Sequence, residues 1–129
     1  MVVADTSAVV EYLLGTGLAE WVEERFVSET AIHAPHVLDV EVVAVLRRFV
    51  RFGDVSTRRA TQALQDLTTL RVARYPHFPL LARMWELREN VTPRDAAFVA
   101  LAELLDAELI TTDLRLARAP GIRARIVTP

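Results

Sequence analysis

The apolar positions of the chain change period several times, and each change marks an element. Val2 to Ala4 is a short unbroken apolar run, which predicts a buried strand. Thr6 to Leu14 predicts a short helix closed by Gly15-Thr16-Gly17. Leu18, Trp21, Val22 and Phe26 recur at helical spacing and carry a second helix to about Ser28. Ala31 to Ala34 is a short strand punctuated by Pro35. A long helix is expected from about His36 to Phe52, with Leu38, Val42, Val45, Leu46 and Phe49 as its inward stripe. Arg47, Arg48 and Arg51 form its polar flank, and Gly53 its C-cap. Ser56 opens another helix with Ala60, Ala63, Leu64 and Leu67 on one face. Leu70 to Arg74 predicts a strand broken by Pro76, and Phe78 to Glu89 a helix with Leu81, Met84 and Trp85 as its stripe. Thr92-Pro93 opens a helix that reaches Leu105. Glu108 to Thr111 is a strand, Leu114 to Arg118 a helical turn or two, and Arg125 to Val127 a last strand.

Strands alternating with helices predict a three-layer α/β/α sandwich with a central parallel sheet. No repeat or linker interrupts the pattern, so residues 1–129 are expected to form one domain. Such folds place their sites outside the carboxyl ends of the strands. That rule directs attention to Asp5 and Asp113, each of which directly follows a predicted strand.

An Asp before a helix is ordinarily just its N-cap. Two of them at the ends of neighbouring strands would instead converge on one rim. Asp95 belongs to a capping-box pattern with Thr92 and Pro93, yet it shares a stripe with Phe98, Ala102 and Leu105 and so faces inward. Glu41 stands among Val40, Val42 and Val43 in the long helix, as either a solvated edge residue or a site residue. Asp39 faces away from it and reads as helix N-terminal charge. Carboxylates drawn together repel. Two unit charges ~4 Å apart cost about 4 kcal/mol at an effective dielectric of about 20. They stay ionised together only where cations compensate them.

Composition narrows what that cation is. The chain has no cysteine and no lysine, and all 15 basic residues are arginine. Disulfides and thiolate metal sites are excluded. Inward acids are left to arginine, hydrogen bonds or metal. Oxygen ligands, with only three histidines, suit Mg²⁺ or Mn²⁺ rather than Zn²⁺. Such ions on carboxylates typically handle phosphates. No apolar run approaches the ~20 residues that span a bilayer, and MVVADTSAVVEYLL carries no basic leader. A cytoplasmic protein without membrane contact is expected. The net charge of −2 gives no basic footprint for nucleic acid. Setting four acids of the 17 apart, however, leaves 13 against 15 arginines.

The segments VVADTSAVVEYLL, APHVLDVEVVAVLRR, VTPRDAAFVALAELLDAELITTD and RLARAPG together resemble a PIN domain. They are most similar to the ribonuclease toxins of VapBC-type toxin–antitoxin systems. The resemblance covers nearly the whole chain, with four acidic motifs in order. It implies a Mg²⁺- or Mn²⁺-dependent endoribonuclease that hydrolyses RNA phosphodiester bonds. It implies Asp5, Glu41, Asp95 and Asp113 as the catalytic metal site. It also implies a small hydroxyl residue after the first Asp that steadies water on the metal, here Ser7 in preference to Thr6. Many relatives carry Tyr before the third Asp, whereas this chain has Arg94. An antitoxin partner and homodimerisation follow from the same resemblance. The helices from Leu18 to Phe26 and from Ser56 to Leu70 have the apolar excess of a partner groove, with Trp21 and Phe26 as anchors or as plain core.

Phosphate contacts would fall to arginine, first Arg94, then Arg115, Arg47 and Arg48. His33, His36 and His77 share no metal-ligand spacing and receive no role. Three rival readings fit the chain less well. A phospho-acceptor receiver domain needs paired N-terminal acids and a late lysine, both absent. A nuclease of structured DNA would want an added clamp or arch, for which the chain has no room. A non-catalytic interaction module has no use for the complete acid set.

Overall fold

The computed structural model describes residues 1–129. Its frame is a sheet of five parallel strands in the order β3-β2-β1-β4-β5. β1 (Val2–Ala4) is central and wholly buried, as an unbroken apolar run demands. It pairs with β2 (Ile32–Pro35) through Val3 and His33, and with β4 (Glu108–Ile110) through Val3 and Leu109. β3 (Val72–Tyr75) and β5 (Ile126–Val127) form the edges.

The chain steps from β1 to β2 to β3, then crosses back to β4 and β5. Right-handed crossovers put the helices of the first two steps on one face and those of the later steps on the other. On the first face α1 (Thr6–Leu14) packs against α2 (Ala19–Phe26), α3 (Val37–Arg51) and α4 (Thr57–Thr69). On the other, α5 (Leu81–Glu86) packs on α6 (Pro93–Leu105), which lies against β1, β2 and β4. α7 (Leu114–Arg118) joins β4 to β5. The three layers expected from the sequence are present. The direction reverses between β1 and β4, so the carboxyl ends of these two strands form the switch point where such sheets bind ligands.

Several expectations shift. α6 is buried continuously from Ala96 to Ala102, because small alanines let it sit between sheet and α5, and Leu105 is only half-buried. The helix expected over Phe78 to Glu89 is a 3-10 turn, Phe78–Leu80, followed by the short α5. Pro79 and that tighter turn change the helical phase. The buried positions become Leu80 and Leu87, with Met84 half-buried, while Leu81 and Trp85 are 50% and 69% exposed. β2 begins one residue later than expected and takes in Pro35 at its last position, where the missing donor costs least. Leu64 is half out of the core. Phe26 belongs to the core and packs on Tyr12, while Trp21 is half-buried under Arg25.

One ion-pair cluster fastens the later elements. Arg83 of α5 donates to both Glu103 oxygens (2.7 and 3.1 Å), to Glu86 and to the Gly121 carbonyl. Glu103 also accepts the Arg123 N–H at 2.7 Å. Burial alone would raise the Glu103 pKa, but the Arg83 and Arg123 hydrogen bonds hold it below the usual value. Replacing Arg83 with Ala is expected to lower the unfolding free energy by about 2–3 kcal/mol, because a half-buried charge loses its partner. Urea denaturation measures this, and an unchanged midpoint would show the cluster to be idle.

Candidate active site

Asp5 is the first residue beyond β1, and its N–H closes the sheet onto the Ile110 carbonyl at 2.9 Å. Extended backbone there makes it the N-cap of α1, with Oδ1 accepting the Thr6 N–H at 2.8 Å. Oδ2 accepts two hydroxyls, Ser7 Oγ at 3.0 Å and Thr111 Oγ1 at 2.8 Å. Asp5 is only 6% exposed. Burial pushes its pKa up, the Thr111 and Ser7 bonds pull it down, and the charge of Asp95 pushes it up again.

Thr111 went unnoticed in the sequence and is central to the site. Its fully buried hydroxyl donates to Asp5 and accepts the Asp113 N–H at 3.0 Å. One side chain therefore sets two of the acids. The ITTD stretch contains it, but its role appears only once β4 lies beside β1. Asp113 caps α7 through Oδ1 and the Arg115 N–H at 2.9 Å, and Arg115 reaches back to it at 3.4 Å.

Glu41 projects from the second turn of α3 and is 6% exposed. Its Oε2 lies 3.1 Å from Nη1 of Arg94. Burial raises the Glu41 pKa, Arg94 lowers it, and Asp5 and Asp95 raise it further. Asp95 sits at the start of α6, where Thr92 Oγ1 accepts its N–H at 3.2 Å. The capping box is only half made, since the Asp95 carboxylate forms no hydrogen bond and is left to the cleft.

All four acids line one cleft of about 600 Å³ at the switch point. As they stand, no three of them are close enough to hold one ion together. Arg94 pairs with Glu41 and Arg115 with Asp113, while no cation stands against Asp5 or Asp95. The oxygen-only donor set fits Mg²⁺ or Mn²⁺. A second observation supports the fit. Thr6 Oγ1, which lines the same cleft, is the single buried side-chain polar atom with no hydrogen-bond partner. Ser7 is differently placed from expectation. Its one proton goes to Asp5 and its oxygen accepts the Thr112 N–H at 3.1 Å, so it positions the carboxylate. The free hydroxyl is that of Thr6.

The arginines divide. Arg94 and Arg48 line the cleft, and Arg115 lines a hollow that adjoins it at Asp95 and Asp113. Arg47 does not face the acids. It points with Arg51 into a separate depression beside Val43 and Leu64, because successive helical residues diverge by about 100°. The histidines lie outside the cleft: His33 bonds Tyr75 at 2.7 Å, and His77 accepts the Val37 N–H. The largest cavity, about 710 Å³, holds none of the four acids. It opens between α2 and α4, beside Phe26 and Asp66.

Comparison with known proteins places these features. Residues 2–122 match the PIN domain. Ribonuclease VapC1 of Mycobacterium tuberculosis is 46% identical over 125 residues, which cover 96% of this chain and 94% of that one. The structure is similar to that of M. tuberculosis VapC20, described as a sarcin-ricin loop cleaving toxin. The TM-score is 0.70 with 14% identity, over the full length of both chains. It is also similar to Rickettsia felis VapBC2 bound to a fragment of promoter DNA, with a TM-score of 0.69 and 14% identity, covering 99% of this chain and 98% of that one.

The raised acids predict a pH dependence. Between the usual carboxylate pKa and the raised values of Asp5 and Glu41, the folded chain holds more protons than the unfolded one. Their contribution to stability is greatest below the usual pKa and falls as pH rises through that window. Asp5→Asn removes the Asp5 share. Without divalent cations, its melting temperature relative to wild type should climb as pH rises from about 4. A difference that does not vary with pH would contradict the strain assigned to Asp5.

Proposed function

Since this chain belongs to the PIN-domain family, among the VapC ribonucleases, we propose that it is a Mg²⁺- or Mn²⁺-dependent endoribonuclease, the toxin of a toxin–antitoxin pair. The observation that carries the reading is the convergence of Asp5, Glu41, Asp95 and Asp113, from four separate segments, on the cleft at the switch point.

These four residues would hold the ion. When bound, it supplies an activated water and neutralises charge at the scissile phosphate. The protein's own groups do the rest. Thr111 and Ser7 fix Asp5 from two sides, so that its carboxylate is oriented before any ligand arrives. Thr6 offers a buried hydroxyl for the attacking water to bond. Arg94 pairs with Glu41, and its guanidinium fork is more than half exposed at the cleft, where it would meet a phosphate oxygen. Arg115 and Arg48 extend that positive rim. Ser7 is not set up as a covalent nucleophile, since its proton goes to Asp5 and its oxygen accepts the Thr112 N–H, and cysteine is absent.

The partners are RNA, an antitoxin and a second copy of the chain. The cavity between α2 and α4 is the candidate groove for the antitoxin. Exposed Val40 and Val43 on α3 supply an apolar face for self-association. No helix is long and apolar enough to cross a membrane, and a cytoplasmic setting suits a ribonuclease.

Asp5→Asn and Asp95→Asn should reduce RNA cleavage to background while leaving far-UV circular dichroism unchanged. EDTA should abolish wild-type cleavage, and Mg²⁺ or Mn²⁺ restore it. Wild-type rates in either variant, or in EDTA, would overturn the assignment. Thr111→Val should cost roughly 10- to 100-fold in rate by loosening Asp5. Arg94→Ala should lower the slope of log affinity against log salt by about 0.7, and an unchanged slope would remove Arg94 from the phosphate contacts.

A further inference from the structure

The acidic cleft does not end at the acids. On α3, Glu41, Val45, Arg48 and Phe49 follow at spacings of four, seven and eight residues and so share one face. That face runs about 12 Å along the helix axis from Glu41 to Phe49. The far end of the cleft is apolar, with Val10 and Leu14 of α1 opposite Val45 and Phe49, and Val55 closing it. Phe49 is half-buried, so one part of its ring packs on the core and the rest borders the cleft.

The rim of this end is polar in a specific way. Arg48 is exposed, with its guanidinium 5.9 Å from the Phe49 ring centroid, at the outer limit of a cation–π contact. It is held loosely and is available to a ligand. Asp54 follows the turn at Gly53, where its N–H and that of Val55 both bond the Phe49 carbonyl. Asp54 is exposed, and its side chain borders the cleft. Glu11, the other acid here, is engaged by the Thr16 hydroxyl and the Leu18 N–H.

An apolar end with an aromatic wall, an exposed guanidinium and an exposed carboxylate, continuous with the cleft of the four acids, has the attributes of a base pocket. Single-stranded bases stack on aromatic rings and arginine planes and are read along their edges. We propose that this end of the cleft is a subsite for a nucleobase flanking the scissile phosphate, and that the base is guanine. The choice of base follows from the rim. A carboxylate accepts two bonds side by side, and guanine alone presents two adjacent N–H donors, at N1 and N2, on its Watson–Crick edge. Arg48 matches the N7 and O6 acceptors of the same base. The proposal rests on the ribonuclease reading for its substrate, but its test does not depend on cleavage.

Nucleosides carry no phosphate, so their binding is not opposed by the acids. Titrating the four ribonucleosides into the full chain in EDTA, followed by amide chemical shifts, should show guanosine binding about tenfold more tightly than uridine. The shifts should centre on Phe49, Asp54 and Val55. Asp54→Asn, at an exposed position, should erase the preference. Phe49→Leu, which keeps most of the packing, should weaken every nucleoside roughly tenfold, as lost stacking predicts. Equal binding of all four, or shifts centred elsewhere, would overturn the subsite. Mapping of cut sites with Mn²⁺ separates the two readings. Cleavage without guanosine binding sinks the subsite alone, whereas guanosine bound at Phe49 without cleavage of any RNA sinks the hydrolase and leaves the subsite standing.

Discussion

The structure turns on a carboxylate buried at the end of its central strand. Asp5 is placed where water barely reaches it, and it remains tolerable because the Thr6 amide and two hydroxyls point at it. Those donors come from both sides of the switch point. Thr6 and Ser7 belong to the start of α1, and Thr111 to the end of β4. The pairing of β1 with β4 is thus inseparable from the chemistry of Asp5. A one-residue slip of β4 would point Thr111 to the other face and take one hydroxyl donor from the acid.

Charge balance extends the same constraint outward. Burial raises the cost of ionising Asp5 and Glu41, the charge of Asp95 adds to both and that of Asp5 to Glu41, and Arg94 of α6 offsets part of the Glu41 cost. A fold that needed only stability would have placed apolar residues here. Four acids against two paired arginines leave a deficit of positive charge in the cleft. The global count agrees, with a small negative total that becomes a basic surplus once the cleft's acids are set apart.

Much of this was legible in the sequence, for identifiable reasons. Helical and strand periods fixed the element order, since burial on one face is written directly into spacing. The acids could be singled out because each ends a strand or interrupts an apolar stripe. What escaped were features set by tertiary neighbours. Thr111 is an ordinary strand threonine until β4 is laid against β1. Arg47 and Arg48 are adjacent in sequence and diverge in space. The stripe of α5 could be written through Leu81 and Trp85 or through Leu80 and Leu87, and only the tight turn at Pro79 selects the second. The hydroxyl partners of Ser7, and the lack of one at Thr6, are likewise set only in three dimensions.

The cluster around Arg83 lies away from the acids, yet it bears on them through chain entropy. The connection from Thr111 to Arg125 carries Asp113 and is long enough to wander. It is tethered at its start by Thr111 to Asp5. It is tethered near its end by Gly121 and Arg123 to the Arg83–Glu103 pair, and by the Pro120 carbonyl to Asn90. The conformational freedom of this segment is therefore surrendered during folding rather than at each encounter with substrate. Asp113 reaches the cleft already confined, and the remote clamp acts as a source of preorganisation for a residue it never touches.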